Sequence, residues 1–305
     1  MTTRPLFTIA TLALLLSSPV WAAGPPNNDP SDSFGNTAGG AAALASNTPA
    51  PGQGLGNTAW GWNTLNANNV GNYNTGVGYS TLPRNTTGYA NTAEGADALC
   101  FNTTGGYNVA EGAFALQYNI SGLFNTAVGY GAMSHNTTGR NNTAMGYLAM
   151  NLGGASTNNT AIGDQALKNA FLGSDNTAVG ESALFSTTTG ITNVGLGERT
   201  LYLNTTGRNN TAVGWNAGSL LTAGSYNLYL GHPGAATESN TMRLGASTIT
   251  RSYIAGVYGQ TIPDGQTVII QADGKLATGM SASALAAKIK SLEDRIAALE
   301  VALHQ

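Results

Sequence analysis

NTAVGYGAMSHNTTGRN (residues 125–141) is followed without a break by NTAMGYLAMNLGGASTN (142–158) and NTAIGDQALKNAFLGSD (159–175). Each of these 17-residue segments begins with Asn-Thr-Ala, an apolar residue and Gly. The same pattern or a close variant recurs with this period from Asn57 to Asn227, and a further copy begins at Asn36, with four extra residues before Asn57. Twelve units therefore occupy residues 36–239, so the fold must itself be a repeat.

Three positions of the unit, numbered 1 to 17 from its first asparagine, are nearly constant. Position 1 is always Asn and position 5 always Gly, and position 15 is Gly in all but one of the ten units from Asn57 to Asn210, Ser156 being the exception. Glycine at fixed positions indicates turns with φ > 0 or close approach to a neighbouring backbone. Asparagines in register would form ladders of side-chain amides. The residues that we expect to hold the repeat together include Asn57, Gly61, Asn74, Gly78, Asn125, Gly129, Asn159, Gly163, Asn176 and Gly180.

The remaining positions favour strands over helices. Thr-Ala-Val-Gly combines β-favouring residues with very small ones and suits one short strand per unit. Asn-Thr-Thr-Gly is typical of a turn in which side chains bond the local backbone. Repeated glycines would break a helix. The sequence thus predicts an all-β fold, a parallel β-roll or solenoid with 17-residue coils.

The apolar content of the unit predicts self-association. Large apolar side chains recur mainly at position 4 and, as Leu or Met, at position 9, beside two alanines, and we expect all of these to be buried. One such unit cannot bury enough apolar surface to be stable alone. We therefore expect the coils to be stabilised by backbone ladders and by burial against other copies. The chain's main predicted partner is therefore itself, in a homo-oligomer, and this reasoning leaves dimer and trimer open.

Residues 1–23 have the pattern of a secretory signal peptide. Arg4 supplies a positive charge, residues 6–16 form an apolar run, and Val-Trp-Ala at 20–22 has the form of a cleavage site. The run is shorter than the ~20 residues that a membrane span needs. We predict export through a Sec-type signal to the extracellular space or the cell surface, including association with an outer membrane, and no membrane span in the mature chain. A retained N-terminal anchor is the alternative.

Composition and motifs argue against several classes of function. Charged residues make up 9% of the chain, and without Arg4 the mature chain has 11 basic residues against 15 acidic ones, which argues against nucleic acid as a partner. Cys100 is the only cysteine, so no disulfide forms within the chain. The histidines have neither metal-binding spacing nor a nucleophile signature nearby. We predict no catalytic residues, no metal, no cofactor and no enzymatic activity. The three histidines are His135, His232 and His304.

Two groups of side chains in the repeat leave alternatives open. Glu94 and Glu111 occupy one column in adjacent units, where they are either solvated charges or a cation site. Aromatic residues, most of them at position 6, would line a ridge that either packs between subunits or contacts a glycan or a protein on a host surface. These aromatic residues are Trp60, Trp62, Tyr79, Tyr130, Tyr147 and Trp215.

Residues 281–305 carry a different pattern. Apolar residues alternate at spacings of four and three, as in the a/d seam of a coiled coil. In a parallel pair, Lys288 and Arg295 at g would face Glu293 and Glu300 at e of the partner, with opposite charges. We predict a parallel coiled coil over this segment, and a lone amphipathic helix packed on its own domain is the alternative. The seam consists of Leu285, Ile289, Leu292, Ile296, Leu299 and Leu303.

The segment between these regions reads as a β-rich neck. We predict strands over Thr248–Val257 and Thr267–Gln271, followed by a tight turn at 272–275. The complete predicted organisation is a signal peptide at 1–23, a linker at 24–35, head repeats at 36–239, a neck at 240–280 and a coiled coil at 281–305.

Segments 125–133 and 159–167 resemble the head repeats of YadA-like trimeric autotransporter adhesins, and still more the related repeats of bacterial surface and phage tail-fibre-like proteins. Residues 238–245, 253–257 and 273–276 are similar to the region that follows those repeats. The resemblance covers residues 36–278 and is specific to the architecture rather than to a ligand. It implies a trimeric, left-handed parallel β-roll head, a neck and a coiled-coil stalk, with a role in adhesion.

These patterns predict an exported, non-enzymatic, fibrous surface protein whose adhesin-like head mediates attachment to a surface or host. One alternative is a phage tail-fibre-like component with a structural or receptor-binding role. Another is an ice- or crystal-surface binder, because the threonines at position 2 would form a column with a spacing of ~4.8 Å. Val109 and Val194 interrupt that column.

Overall fold

The computed structural model of the chain describes residues 35–46, 53–249, 251, 266–270 and 276–303. The chain divides into two compact units, Met1–Thr248 and Ile249–Gln305. The predicted signal peptide and, apart from Gly35, the predicted linker lie outside the described residues.

The first unit is a parallel β-solenoid with one three-residue strand per coil. Its strands pair in chain order, and each residue pairs with the residue at the same position of the next coil, as Thr126 does with Thr143. The predicted fold and its 17-residue period are confirmed. The strands are β1 (Thr37–Gly39), β2 (Thr58–Trp60), β3 (Thr75–Val77), β4 (Thr92–Glu94), β5 (Val109–Glu111), β6 (Thr126–Val128), β7 (Thr143–Met145), β8 (Thr160–Ile162), β9 (Thr177–Val179), β10 (Val194–Leu196), β11 (Thr211–Val213), β12 (Leu228–Leu230) and β13 (Met242–Leu244).

The interior of the solenoid is lined by small side chains and one large one per coil. Alanines at positions 3 and 8 and Leu or Met at position 9, such as Ala127, Ala132 and Met133, are completely buried. The prediction that position 4 is also buried is wrong: Met145 at this position is 47% exposed. Successive side chains of a strand point to opposite faces, so only position 3 or position 4 can enter the interior. Leu or Met at position 9 already fills most of that space, which leaves room for alanine only.

Each coil turns through residues in the left-handed backbone region, several of them not glycine. Leucine at position 9 is the clearest case, with φ of 50° at Leu116 and 52° at Leu167. A bulky residue rarely adopts this conformation, which costs ~1–2 kcal/mol. It is retained because the side chain is buried and the Leu116 N–H donates to the Ala132 carbonyl of the next coil at 3.0 Å.

The two glycine positions are required for different reasons. Gly129, at position 5, has φ of 120°, and a Cβ there would lie 2.6 Å from the Gly146 oxygen of the next coil. Gly122, at position 15, does not have a positive φ, but a Cβ there would lie 2.6 Å from the Gly139 oxygen and would overlap Oδ1 of Asn119. Position 15 is therefore a site of close approach and not a left-handed turn.

The second unit contains a hairpin and a helix. Strands β14 (Gln266–Ile270) and β15 (Leu276–Ser281) pair antiparallel, and helix α1 spans Ala282–Leu303. The prediction of a strand at 267–271 is confirmed to within one residue. Of the other predicted strand, 248–257, the described residues Thr248, Ile249 and Arg251 are not in a strand. The rest of that strand and the predicted turn at 272–275 lie outside the described ranges.

Candidate functional site

A ladder of buried asparagines at position 1 holds the coils in register. The Asn142 side-chain nitrogen donates to Asn125 Oδ1 at 3.1 Å and to the Ser156 carbonyl at 2.9 Å. The same Asn125 oxygen accepts the backbone N–H of Asn142 at 3.1 Å. This arrangement recurs from Asn57 to Asn227, so the predicted amide ladder is confirmed. Every outward side chain consequently lies above the equivalent side chain of the preceding coil.

A second ladder at position 12 is shorter. It runs from Asn68 to Asn136, with bonds of 2.8 Å between successive amides. It stops where the next coil has Gly153, which provides no donor. Asn136 Oδ1 is therefore left buried without a hydrogen-bond partner.

The outward face of the long sheet carries an apolar column at position 4. Positions 2 and 4 point outward while position 3 is buried, so threonines and apolar residues alternate across this face. The column presents ten apolar side chains, all at least partly exposed, over a length of ~55 Å at ~4.8 Å per coil. These are Trp60, Val77, Val128, Met145, Ile162, Val179, Leu196, Val213, Leu230 and Leu244. The uninterrupted part of the column, from Val128 to Leu244, is an exposed apolar surface of the kind that marks an interaction site.

The aromatic residues form separate stacks and not one ridge. At position 6, Trp62 stacks on Tyr79 with ring centroids 4.9 Å apart, and Tyr130 stacks on Tyr147 at 5.6 Å. Alanines at 96 and 113 separate these two pairs. Trp60 lies at position 4 and belongs to the apolar column. Position 6 is therefore aromatic only in parts.

Among the aromatic columns that sequence reasoning missed, two lie at positions 11 and 17. At position 11, Arg84 lies 4.3 Å from the centroid of Phe101, which stacks on Tyr118, which in turn stacks on His135. At position 17, Tyr107 stacks on Phe124 at 4.8 Å. Aligning the units of the sequence position by position would have revealed both. Because stacked rings cover one another's faces, these columns present mainly ring edges to solvent.

Trp215 is the most exposed aromatic side chain among the described residues. Trp215 at position 6 is 70% exposed and makes no ring contact with any described residue. The residues before and after it in the column are Glu198 and His232. Its indole is thus the ring most available to a ligand.

The last coil is closed by a polar cluster. Arg243 pairs with Glu238 through two nitrogens, with a shortest distance of 2.7 Å. Burial raises the pKa of the Glu238 carboxyl, but hydrogen bonds from Arg243 and the Ala235 N–H and the charge of Arg243 outweigh it, so the pKa lies below its usual value. Burial, together with nearby Glu238, raises the pKa of Tyr229 beyond its ordinary range. This cluster ends the core.

The predicted seam lies on α1. Leu285, Ile289, Leu292, Ile296 and Leu299 are 47–62% exposed in the single chain, and the side chain of Leu303 lies outside the described part. The predicted g and e residues Lys288, Glu293, Arg295 and Glu300 are exposed. Pairing with a second helix stays a prediction.

The described residues offer little for chemistry. No three His, Cys, Asp or Glu side chains among them are grouped so as to hold a metal ion. Cys100 is half-buried, and burial, assisted by Asp97, raises the pKa of its thiol, which makes it a poor nucleophile. Among the helical segments that the structure describes, none has the length and apolar character to cross a bilayer.

The candidate site is therefore a set of surfaces: the apolar column, the helix seam and the aromatic columns. Their geometry suits contact with other macromolecules. In comparisons with known proteins, the chain matches no family model, no curated protein and no solved structure at a significant level.

Proposed function

We propose that this chain is an exported, non-enzymatic attachment protein whose copies associate side by side into a fibre, most simply a trimer. The observation that carries the proposal is the apolar column at position 4. Apart from Glu94 and Glu111, it is apolar from Trp60 to Leu244 and would be covered if copies packed face to face.

The repeat makes a second copy the best occupant of this column. An identical solenoid has the same spacing between coils, so each coil of one copy meets the same coil of the other across the entire length. An unrelated partner would need the same period to match it.

The helix supports the same arrangement independently. Its seam of leucines and isoleucines is exposed and requires a partner of the same kind. Opposite charges at g and e favour parallel helices in register. Parallel heads in register and a parallel helical bundle are compatible within one assembly.

With position 4 covered, the surfaces left for attachment are the ring edges at positions 11 and 17 and the exposed Trp215. Aromatic side chains that combine an apolar ring with a polar edge suit glycans and protein surfaces. Repetition along a rigid rod, and again in each copy, multiplies weak contacts into firm attachment.

An ice- or crystal-binding role uses the same outward face, because threonines at position 2 lie beside the apolar column. The two roles exclude each other, since copies that pack face to face cover the threonines. A thermal-hysteresis assay separates them: activity in the purified chain would favour ice binding.

Two measurements test the proposal. The first is sedimentation of the full chain and of Ile162→Lys, with Leu152→Lys as the control; both residues are 38% exposed, but only Ile162 lies in the column. We expect Ile162→Lys to weaken association and Leu152→Lys to leave it unchanged. The second is retention of cells that display the chain on host-cell layers. Retention no greater than that of cells without it would refute the attachment role.

A further inference from the structure

The apolar column is interrupted at one place, and the interruption is charged. Position 4 is Glu94 in β4 and Glu111 in β5, which pair directly in register. The coils on either side have Val77 and Val128 at this position. Both glutamates are exposed, and neither forms an ion pair or a side-chain hydrogen bond with a described residue. Two carboxylates therefore lie one coil apart, at ~4.8 Å, within an apolar run.

No neighbouring group that the structure describes neutralises this pair. The acidic side chain nearest in sequence, Asp97, is hydrogen-bonded to Cys100. Tyr79 and Tyr130, at position 6 of the flanking coils, contact the rings of Trp62 and Tyr147. The remaining outward side chains of β3 to β6 and of the turns that follow β4 and β5 carry no titratable group: Thr75, Val77, Thr92, Ala96, Val109, Ala113, Thr126 and Val128.

What these two glutamates do in an assembly rests on the proposed association of copies. In a parallel assembly in register, Glu94 of one copy faces Glu94 of the next, and Glu111 faces Glu111. Like charges placed opposite each other and removed from water repel strongly. The coils from Val128 to Leu230 have only apolar residues at position 4 and meet no such cost.

We propose that the interface between copies contains a pH-gated section at the coils of Glu94 and Glu111. While both carboxylates are ionised, this section stays open although the apolar sections are closed. Closing this section brings the carboxylates of neighbouring copies together, and the repulsion is relieved only when protons are taken up. Closing therefore becomes more favourable as the pH falls. The section then packs like the rest of the head.

The test compares two valines of the same column by spin labelling. In full chains with Cys100→Ser, a nitroxide is attached at Val128→Cys, beside Glu111, or at Val213→Cys, far from both glutamates. Dipolar spectroscopy measures the distance between labels on different copies near pH 7.5 and near pH 4.5, which is close to the ordinary glutamate pKa of about 4.3. The same measurement is made in Glu94→Gln/Glu111→Gln and, as a control, in Glu181→Gln/Glu198→Gln, two exposed carboxylates in adjacent coils at position 6.

We expect the Val213 labels to be close at both pH values. The Val128 labels should be far apart or broadly distributed near pH 7.5 and close near pH 4.5. The Glu94→Gln/Glu111→Gln chain should show close Val128 labels at both pH values, and the control should behave as the original chain does. Val128 labels that are close at both pH values in the original chain would overturn the gate and leave the association intact. An absence of coupling at Val213 would overturn the association itself and the gate with it.

Discussion

The ring of Tyr229 occupies the space above Gly218 that a leucine fills in the other coils. A Cβ at Gly218 would lie 2.8 Å from Cδ2 of Tyr229. Gly218 is at position 9, where preceding coils have Leu or Met, and Tyr229 is at position 3, where most have Ala. A small residue in the last full coil is thus matched by a large one in the coil that follows, and the phenol closes the end of the core.

This exchange predicts coupled effects on stability. Tyr229→Ala leaves a cavity and should cost ~3–5 kcal/mol, while Gly218→Leu overpacks the same space and should cost ~1–3 kcal/mol. The double variant restores Leu at position 9 and Ala at position 3, so its loss of stability should be smaller than the sum of the two single losses by ~1 kcal/mol or more. Gly218 has φ of 64°, close to that of the leucines at position 9, so the backbone accepts the change. Denaturation of the four proteins measures the coupling, and strictly additive losses would contradict it.

Ser156, the exception at position 15, predicts that substitutions at positions 153 and 156 also have coupled effects on stability. In coils with Asn at position 12, such as those of Gly122 and Gly139, a Cβ at position 15 would overlap the Asn oxygen. Ser156 is tolerated because position 12 of its coil is Gly153. Gly153→Asn alone should therefore destabilise the chain, by ~1–3 kcal/mol.

Gly153→Asn combined with Ser156→Gly should stabilise the chain. The new amide can donate to the unpartnered Asn136 Oδ1 and extend the ladder, a gain of ~1 kcal/mol over the original chain. Ser156→Gly alone serves as the control, since it removes only the bond from Ser156 Oγ to the Gly153 carbonyl. A double variant less stable than both single variants would show that the ladder cannot be extended here.

Adjacent asparagines give a test of the position 1 ladder. Asn142→Asp replaces a buried donor of two hydrogen bonds by a carboxylate that faces the Asn125 oxygen and the Ser156 carbonyl, and should cost ~3 kcal/mol or more. Asn141→Asp changes an exposed residue whose side chain bonds Asn158, and should alter stability by less than ~0.5 kcal/mol. Thermal unfolding followed by circular dichroism distinguishes them. Equal losses of stability in the two variants would mean that the asparagine ladder does not stabilise the stacking of the coils.

The ion pair between Glu238 and Arg243 predicts that the stability of the chain depends on pH. Because the pKa of Glu238 is lowered in the folded chain, its contribution is present above the ordinary glutamate value of ~4.3 and is lost as the pH falls through the lowered value. Arg243→Met should cost ~1 kcal/mol near neutral pH, since Arg243 is partly exposed. The difference from the original chain should shrink below about pH 4. Denaturant titrations at both pH values measure it, and a constant difference would exclude an ionic role for the pair.

The sequence was sufficient to predict the period, the parallel strands and the asparagine ladder. The constant spacing of the repeat places Asn125 above Asn142 whatever the local geometry, and identical polar residues in register pair with each other. In the second unit, the strand near 267–271 and the helix were predicted from β-favouring residues and heptad spacing, but its partner strand β15 was not.

The sequence pattern did not predict that the side chain at position 4 points outward. Alternation shows that residues 3 and 4 of a unit face opposite ways, but Val128 is more apolar than Ala127, and size alone favours burial of the valine. The conformation of Leu116 decides otherwise, because its left-handed backbone brings the leucine into the interior. Secondary-structure propensities do not predict a leucine in the left-handed backbone region. Likewise, the separate aromatic columns depend on which turn positions face outward, which only the coil geometry defines.

The most direct test of the account is the mass of the full chain in solution, measured by sedimentation equilibrium. Packing of the position 4 columns against one another predicts a mass of more than one chain, three for the proposed trimer. It also predicts that the chain ending at residue 280 keeps associating through its head. A full chain that sediments with the mass of a single copy at every concentration would contradict the account.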